Sequence, residues 1–375
     1  MTPRKPLDKR RLIFLCVLVL ACVALIEEVK ITFFGNVPIP LHGRIDDPSE
    51  FSTWPWPRVP SDSPHPGVTH WLAHAADGTT LDLLRFDFAA NPGLRFEIYD
   101  QDEDDAQSFD DKVLYWPLGV GQATHHLNAI GRGRVIAAWN GIFFGYDEVG
   151  PRHTAYHVSP VVLKGVPHYY NVAVNHRWTF GVKYKVGRPQ FKVLFKPDKE
   201  LATREFDFAA ASAQCLIRDG VPLKLQPFPK PGEPRVRQPV PSTKEEVGHI
   251  PVFDHMKTCR ESIGWTKDSR QLYLLSIKEP DSEGVSAIAL LHNTPLGGGW
   301  TVADLQRFWK SMGLPNAINS DAGDVGQMVY LRPDGRYEMT PPRWACSSMR
   351  QTFGPDFVGA PPGGSLTYFF VSDKR

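Results

Sequence analysis

From Val68 onward the chain is a succession of short apolar runs, each closed by a turn signal, and this punctuation constrains the fold more than any other feature. Leu81–Phe88 alternates in part, Leu94–Tyr99 does so again, and Asp77-Gly78 and Asn91-Pro92-Gly93 bound them. An antiparallel pair is the economical expectation for these two runs. Further strand-like runs follow at Arg134–Trp139, His157–Val162, Tyr169–Val174, Trp178–Val186, Phe191–Phe195, Gln271–Ile277, Gln327–Leu331 and Leu366–Val371. Helical patterning is scarce. Leu201–Ile217 is expected to form one short helix, and Val302, Leu305, Phe308, Trp309 and Met312 form one apolar stripe at helical spacing. Thr301 with Asp304 approximates a capping box before that stripe, and Gly313 with Pro315 ends it. The expected class is α+β: mixed, mainly antiparallel sheets with a few helices, in a single globular domain behind an N-terminal membrane segment.

That segment comes from the first residues. Met1–Arg11 is rich in Arg and Lys, and Leu12–Ile26 carries no charge. An apolar stretch of this length behind a basic flank reads as a signal-peptide core or a short membrane anchor. Positive-inside logic sends everything after Lys30 across the membrane. With no clear cleavage site, the expectation is an exported protein anchored through this segment and facing the periplasmic or extracellular side, or secreted if the segment is cleaved. Residues 1–34 are read as basic flank and anchor, 35–67 as a proline-rich linker and 68–375 as the functional domain. Pro341–Pro362 is expected to be an irregular loop.

The formal net charge of +1 and the absence of a basic patch interleaved with aromatics argue against a nucleic-acid partner. Beyond the apolar segment only Cys215, Cys259 and Cys346 remain, so at most one disulfide can form among them; a bond from Cys346 to Cys215 or Cys259 is one option, and the pairing stays open. No Cys/His spacing suits structural zinc. The acidic run Asp100–Asp111 lacks the glycine and terminal glutamate of a calcium loop and reads as a solvated charged loop. The histidines follow no metal-ligand spacing; His125, His126 and His176 are the first to test, and the others, His157 included, read as surface or core-edge residues.

Three stretches carry chemistry. In Leu296–Tyr330 the stripe helix is followed by Ala317-Ile318-Asn319 and then Ser320-Asp321-Ala322-Gly323-Asp324, placing two carboxylates in a small-residue turn after a buried strand. The structural alternative is an Asp/Gly turn capping its own backbone. In Gly133–Gly145 an apolar strand ends at Asn140-Gly141, with Ile142-Phe143-Phe144 continuing it; a ligand-facing amide and a plain hairpin turn are both open readings. Arg260-Glu261-Ser262-Ile263-Gly264 begins a hairpin that turns at Lys267-Asp268-Ser269. Arg260 offers a planar fork for phosphate or carboxylate, or a salt bridge to an aspartate such as Asp254.

In order and spacing these stretches resemble the phosphodiester glycosidase family, the domain of the lysosomal uncovering enzyme and of many bacterial exported proteins. The matching motifs are Asn140-Gly141-Ile142-Phe143-Phe144, Arg260-Glu261-Ser262-Ile263-Gly264, Gly299-Trp300-Thr301 and Ala317-Ile318-Asn319-Ser320-Asp321-Ala322-Gly323-Asp324. The resemblance implies an exported glycosidase that hydrolyses a phosphate-linked sugar or an envelope polysaccharide bond. It implies Asp321, Asp324 and Arg260 as catalytic residues, and Asn140, Gly141, Phe143, Glu261, Ser262, Asn319 and Gly323 as substrate-binding residues. The alternative is a non-catalytic glycan-binding or polysaccharide-assembly protein that keeps the fold. No cofactor is required, although Asp321 and Asp324 could together hold a divalent cation such as calcium or magnesium. The partners are a carbohydrate or sugar-phosphate substrate and the membrane. This sequence departs from the family where Ile142 replaces a glycine, which would crowd a ligand's approach to the backbone, and where Asp324 and Val325 replace the last glycine and serine of the turn. For an ordinary glycoside, Asp321 and Asp324, or Glu261, would have to supply both acid and base.

Overall fold

The computed structural model describes residues 44–45, 61–75, 78–104, 117–149, 152–170, 178–225, 257–279, 298–320, 326–340, 351–353 and 364–375. In chain order the elements are β1 (Arg44–Ile45), β2 (Asp62–His65), β3 (Val68–Ala75), β4 (Thr80–Asp87), β5 (Leu94–Asp100), α1 (Val120–Ala129), β6 (Arg134–Asn140), β7 (Gly145–Val149) and β8 (Arg152–Tyr156). Next come β9 (Val161–Leu163), β10 (Val166–His168), β11 (Trp178–Lys185), β12 (Arg188–Phe195), α2 (Lys199–Glu205), β13 (Phe208–Arg218) and β14 (Val221–Pro222). The remainder are β15 (Arg260–Trp265), β16 (Gln271–Lys278), α3 (Val302–Ser311), β17 (Asn316–Asn319), β18 (Met328–Leu331), β19 (Tyr337–Thr340), β20 (Gln351–Phe353) and β21 (Thr367–Asp373).

The strands form a 13-stranded sheet whose main path is β1-β3-β4-β16-β15-β17-β13-β11-β12, a six-stranded sheet ordered β20-β19-β18-β6-β21-β5, and the β7–β8 pair. Apart from the parallel β1–β3 pairing, every described pairing is antiparallel, such as β4 with β16 and β21 with β5. The α+β, mainly antiparallel expectation therefore holds for the described residues. Among them no helix is long and apolar enough to cross a membrane, and the apolar stretch Leu12–Ile26 lies outside them.

Period-2 alternation explains how the two sheets meet. Val68, Leu84, Phe86, Leu272, Leu274, Ile263 and Trp265 project from one face of the large sheet into a core shared with Phe96, Val135, Trp139, Val329 and Phe369 of the smaller one. Phe96 lies at the centre, edge-on to Phe180 and Phe191 at 5.6 and 5.5 Å. The opposite face of the large sheet presents Leu81, Leu83, Leu275, Ile277 and Leu216 to the α3 stripe of Val302, Leu305, Phe308 and Trp309. The capping box forms in full: Thr301 Oγ1 accepts from Asp304 N at 3.1 Å, and Asp304 Oδ2 accepts from Thr301 N at 2.8 Å.

Several expectations are corrected. The Leu81 and Leu94 runs do not pair with each other: β4 takes β3 and β16, whereas β5 takes β21 in the other sheet. The expected Leu201–Ile217 helix stops at Glu205, and its second half is the long strand β13, whose small alanines suit burial between β11, β9 and β17 more than they favour a helix. β2 lies inside the proline-rich stretch, yet pairs with β3. β20 interrupts the expected Pro341–Pro362 loop, the rest of which lies outside the described residues. Asp100 and Asp102 are buried rather than solvated. Cys215 and Cys259 are both buried free thiols, and Cys346 lies outside the described residues. Burial pushes the Cys215 thiol up, which suits an inert core residue.

Candidate functional site

The described motif residues lie toward one end of the two packed sheets. Here β15 begins, β17, β6, β5 and β19 end, and a bond of 3.2 Å from Thr340 Oγ1 to Asp82 Oδ2 ties the smaller sheet to the larger.

The hairpin expected from Arg260 onward is β15–β16, in register from Arg260 with Ile277 to Trp265 with Leu272. Its alternation decides which way each motif side chain points. Ser262 and Gly264 face α3: Trp309 Nε1 donates to Ser262 Oγ at 2.7 Å, and a Cβ on Gly264 would meet Leu314 Cδ1 at 2.7 Å. Arg260 shares that parity, is 3% exposed, and donates through Nε to the Trp300 carbonyl at 3.0 Å. The bond joins two of the expected motifs directly. Asp254, the alternative partner, lies outside the described residues.

β17 runs beside β15 with Asn319 opposite Ser262, and beside β13 with Asn319 opposite Gln214. Asn319 Nδ2 donates to Gln214 Oε1 at 2.6 Å, while Asn319 Oδ1 and Gln214 Nε2 are buried without hydrogen-bond partners among the described residues. Ser262 Oγ donates to the Ile318 carbonyl at 2.6 Å, so its proton and one lone pair bind structure. Beyond Asn319, Ser320 is fastened twice to the carbonyl of Glu261, through N at 2.9 Å and Oγ at 3.0 Å. The residues that follow, including Asp321, Gly323 and Asp324, lie outside the described residues.

Glu261 faces the other way, into the space between the sheets. It lies in one row with Ser276 on β16 and Asp82 on β4, three polar residues at the parity that elsewhere holds Ile263, Leu274 and Leu84. Ser276 Oγ donates to Glu261 Oε1 at 2.8 Å, and Oε2 has no hydrogen-bond partner among the described residues. Burial raises the Glu261 carboxyl well above the usual range; the Ser276 hydrogen bond opposes this and the charge of Asp82 adds to it. Asp82 is supplied with donors instead, including His70 Nε2 at 2.8 Å.

On the smaller sheet Asn140 ends β6 and does not turn into a hairpin with the next strand. Its Oδ1 accepts from Gln327 N at 3.0 Å, which locks β6 to the start of β18. Gly141 N donates to the Thr367 carbonyl at 2.8 Å, and a Cβ there would stand 2.7 Å from that oxygen, so close approach of β21 accounts for the glycine. Phe143 is half-buried. Ile142, expected to crowd a ligand, is buried in the main core instead. Thr367 Oγ1 donates to Asp100 Oδ2 at 2.9 Å, and His157 Nε2 contacts Asp100 Oδ1 at 2.9 Å. Asp100 and His157 are thus linked to Gly141 through Thr367.

The readings from sequence passed over Asp82, Ser276, Gln214 and the Asp100–His157 pair. Asp82 carried a visible signal, a charge at the inward parity of Leu81-Asp82-Leu83-Leu84-Arg85-Phe86. Among the described residues no group of three or more His, Cys, Asp or Glu side chains could hold a metal ion. The cation alternative rested on Asp321 and Asp324, which lie outside them.

No family model matches the chain, and no curated protein does. Solved structures with similar folds include the zebrafish N-acetylglucosamine-1-phosphodiester alpha-N-acetylglucosaminidase catalytic domain auto-inhibited by its pro-peptide, at 14% identity and TM-score 0.42 over 83% of this chain and 85% of that one. An inferred exported protein of Burkholderia pseudomallei K96243 is 12% identical at TM-score 0.42 over 78% and 74%. A hypothetical protein from Synechocystis is 11% identical at TM-score 0.38 over 81% of this chain and 62% of its own. Likenesses this distant assign no residue and no activity.

Proposed function

We propose that the protein is an exported glycosidase that hydrolyses a phosphate-linked sugar or a glycosidic bond of an envelope polysaccharide. The observation that supports this reading is the pair of hydrogen bonds from Ser320 to the carbonyl of Glu261, which holds Ser320, the residue before Asp321 in sequence, against the Arg260–Glu261 step of β15. Three groups of complementary chemistry then belong to one strand end: a permanent cation, a carboxyl that burial makes a weaker acid, and a carboxylate carried on the residue that follows Ser320 in sequence.

In this reading the terminal nitrogens of Arg260 meet the anionic part of the substrate, with Nε anchored on Trp300 so that the fork keeps one orientation. Asp321 stabilises the oxocarbenium-like anomeric centre or activates water, and Asp324 assists it or shares a cation with it. The amides of Asn140 and Asn319, with Gly141, Phe143 and Gly323, shape the sugar pocket, and Ser262 holds the strand beneath it. A departing phosphate monoester, with a second pKa of about 6, leaves without a strong acid, whereas a departing alcohol needs a proton.

The test is release of reducing sugar from a panel of sugar-1-phosphodiesters and oligosaccharides by the full-length chain, parent against Asp321→Asn. Release that falls in the variant supports the reading. Equal release by both proteins removes Asp321 from the mechanism, and sugar binding without release by either would make the protein a glycan-binding module.

A further inference from the structure

At the far end of β15 from the candidate site, the turn into β16 meets two other turns around an open cleft of about 670 Å³. The separation is the length of a six-residue strand, about 20 Å. The other two turns are the tip of the β11–β12 hairpin, Val186-Gly187, and the connection from β4 to β5. Hydrogen bonds fix the cleft's walls to one another: Phe88 N donates to the Arg270 carbonyl at 2.9 Å, and Phe191 N of β12 donates to Ser269 Oγ at 2.9 Å.

Arg95, Arg188 and Arg270 line the cleft against one carboxylate, Asp268. Among the described residues Arg95 is held by neutral groups: Nη1 donates to the carbonyls of Pro92 and Leu94 at 3.1 Å each, and its guanidinium carbon lies 5.1 Å from the centre of the Tyr184 ring. Glu97 and Asp207, whose charges act on Tyr184, are paired instead with Arg132 and Lys374 and with Lys183. Arg188 is exposed and makes no ion pair among the described residues. Arg270 Nε stands 3.9 Å from Asp268 Oδ2 with both side chains more than half exposed, a surface pair of little strength. Asp268 is already engaged by Thr266 Oγ1 at 2.8 Å and Arg270 N at 3.1 Å. The hairpin tip adds a second observation. Val186 and Gly187 both have positive φ, 50° and 76°, in the two-residue turn that Asn-Gly or Asp-Gly forms with least strain. A β-branched residue suits that backbone poorly, and Val186 is also fully exposed, at the mouth of the cleft. A turn that only reversed the chain would need neither cost.

These features select among anions. Guanidinium forks suit carboxylate or phosphate. Walls of Val186, Pro92 and Pro189 suit a ligand with apolar C–H faces, which an inorganic anion lacks. A concavity of this size admits several sugars but not the plane of a bilayer. No residue lining it offers an aromatic face to stack on a nucleic-acid base: Phe88 is buried, and the Tyr184 ring lies beneath Arg95. We propose that this cleft is a binding site, separate from the candidate active site, for an acidic glycan, a sugar chain bearing carboxylate or phosphate groups. Arg95, Arg188 and Arg270 hold its charges, and Val186 packs on its sugar faces. The choice of a glycan rests on the glycosidase reading above, and the cleft then grips the polymer away from the bond being cleaved.

The experiment measures binding of fluorescently labelled oligomers to the full-length protein in detergent: an oligogalacturonate, an oligomer of sugar-phosphate repeats, and a neutral glucan. The expected result is that one or both charged oligomers bind and the glucan does not. Arg188→Gln combined with Arg270→Gln should weaken binding by roughly 10- to 100-fold at an unchanged melting temperature, since both side chains are exposed. Val186→Asn should raise the melting temperature, because Asn-Gly suits the turn, and still weaken binding several-fold. Binding of neither charged oligomer, equal binding of the glucan, or an affinity unchanged in either variant overturns the proposal. Displacement by inorganic phosphate or a single-stranded oligonucleotide as readily as by unlabelled glycan also overturns it, since the cleft would then read charge alone. A parent that binds the charged oligomer through these arginines but releases no sugar fails the glycosidase reading and keeps the cleft. Sugar release without binding at the cleft does the reverse.

Discussion

Replacing Ser262 by alanine would decide whether this motif residue holds the fold or meets a ligand. Its hydroxyl joins three elements, donating to the Ile318 carbonyl of β17 at 2.6 Å and accepting from Trp309 Nε1 of α3 at 2.7 Å while sitting on β15. All three residues are fully buried. Alanine removes two hydrogen bonds of about 1 kcal/mol each and strands the indole N–H, which adds roughly 1–3 kcal/mol, partly overlapping the first figure. A total loss of about 2–4 kcal/mol is expected. Urea unfolding would show it as a lower midpoint at unchanged slope. Adding Trp309→Phe removes the stranded donor, so the double variant should be less destabilised than the sum of the singles by about 1–2 kcal/mol. A Ser262→Ala protein within roughly 0.5 kcal/mol of the parent, but with weakened glycan turnover or binding, would refute this reasoning and give the hydroxyl to the ligand.

Gly264→Ala should cost about 1–3 kcal/mol, because the new methyl would stand 2.7 Å from Leu314 Cδ1 and 2.8 Å from Trp309 Cε3; a thermal melt unchanged from the parent would contradict that packing. Burial lowers the His157 pKa, but the charge and hydrogen bond of Asp100 outweigh it and hold the group above the ordinary histidine value of about 6.5. Its contribution is therefore complete below about pH 6.5 and is lost as pH rises through the folded pKa, so the stability gap between parent and His157→Gln should narrow in that direction; a gap that widens would contradict the sign. Burial raises the Asp373 pKa, yet hydrogen bonds from His65, Asn91 and Arg375 together hold it below 3.8. Its contribution is present above about pH 3.8 and disappears as pH falls through the folded pKa, and Asp373→Asn should flatten that part of an acid-unfolding curve.

What was legible in the sequence was local. The capping box of Thr301 and Asp304, the buried stripe of α3 and the β15–β16 hairpin each depend on residues a few positions apart, and each formed as expected. Pairing between distant strands was not legible. Leu81–Phe88 and Leu94–Tyr99 look like a hairpin because they are adjacent in sequence, but their partners come from Gln271–Lys278 and Thr367–Asp373. β13 misled for a different reason: Ala209, Ala210, Ala211 and Ala213 favour helix locally, and strands on both sides overrule them. In the site, the order of Arg260, Ser262 and Asn319 anticipated neighbours in space, whereas the pairing of Glu261 with Ser276 and Asp82 required the register of three strands.

The placement of β21 governs how the protein can be assembled. It lies between β6 and β5, and its residues come long after both in the chain. During synthesis those two early strands emerge with their edges unsatisfied and can complete their sheet only when residues 367–373 arrive. Closing that gap joins distant parts of the chain, a slow step with a large loop to order. A polypeptide that stays open for so long presents its apolar edges to chaperones, and it is also in a form that a translocation channel can thread.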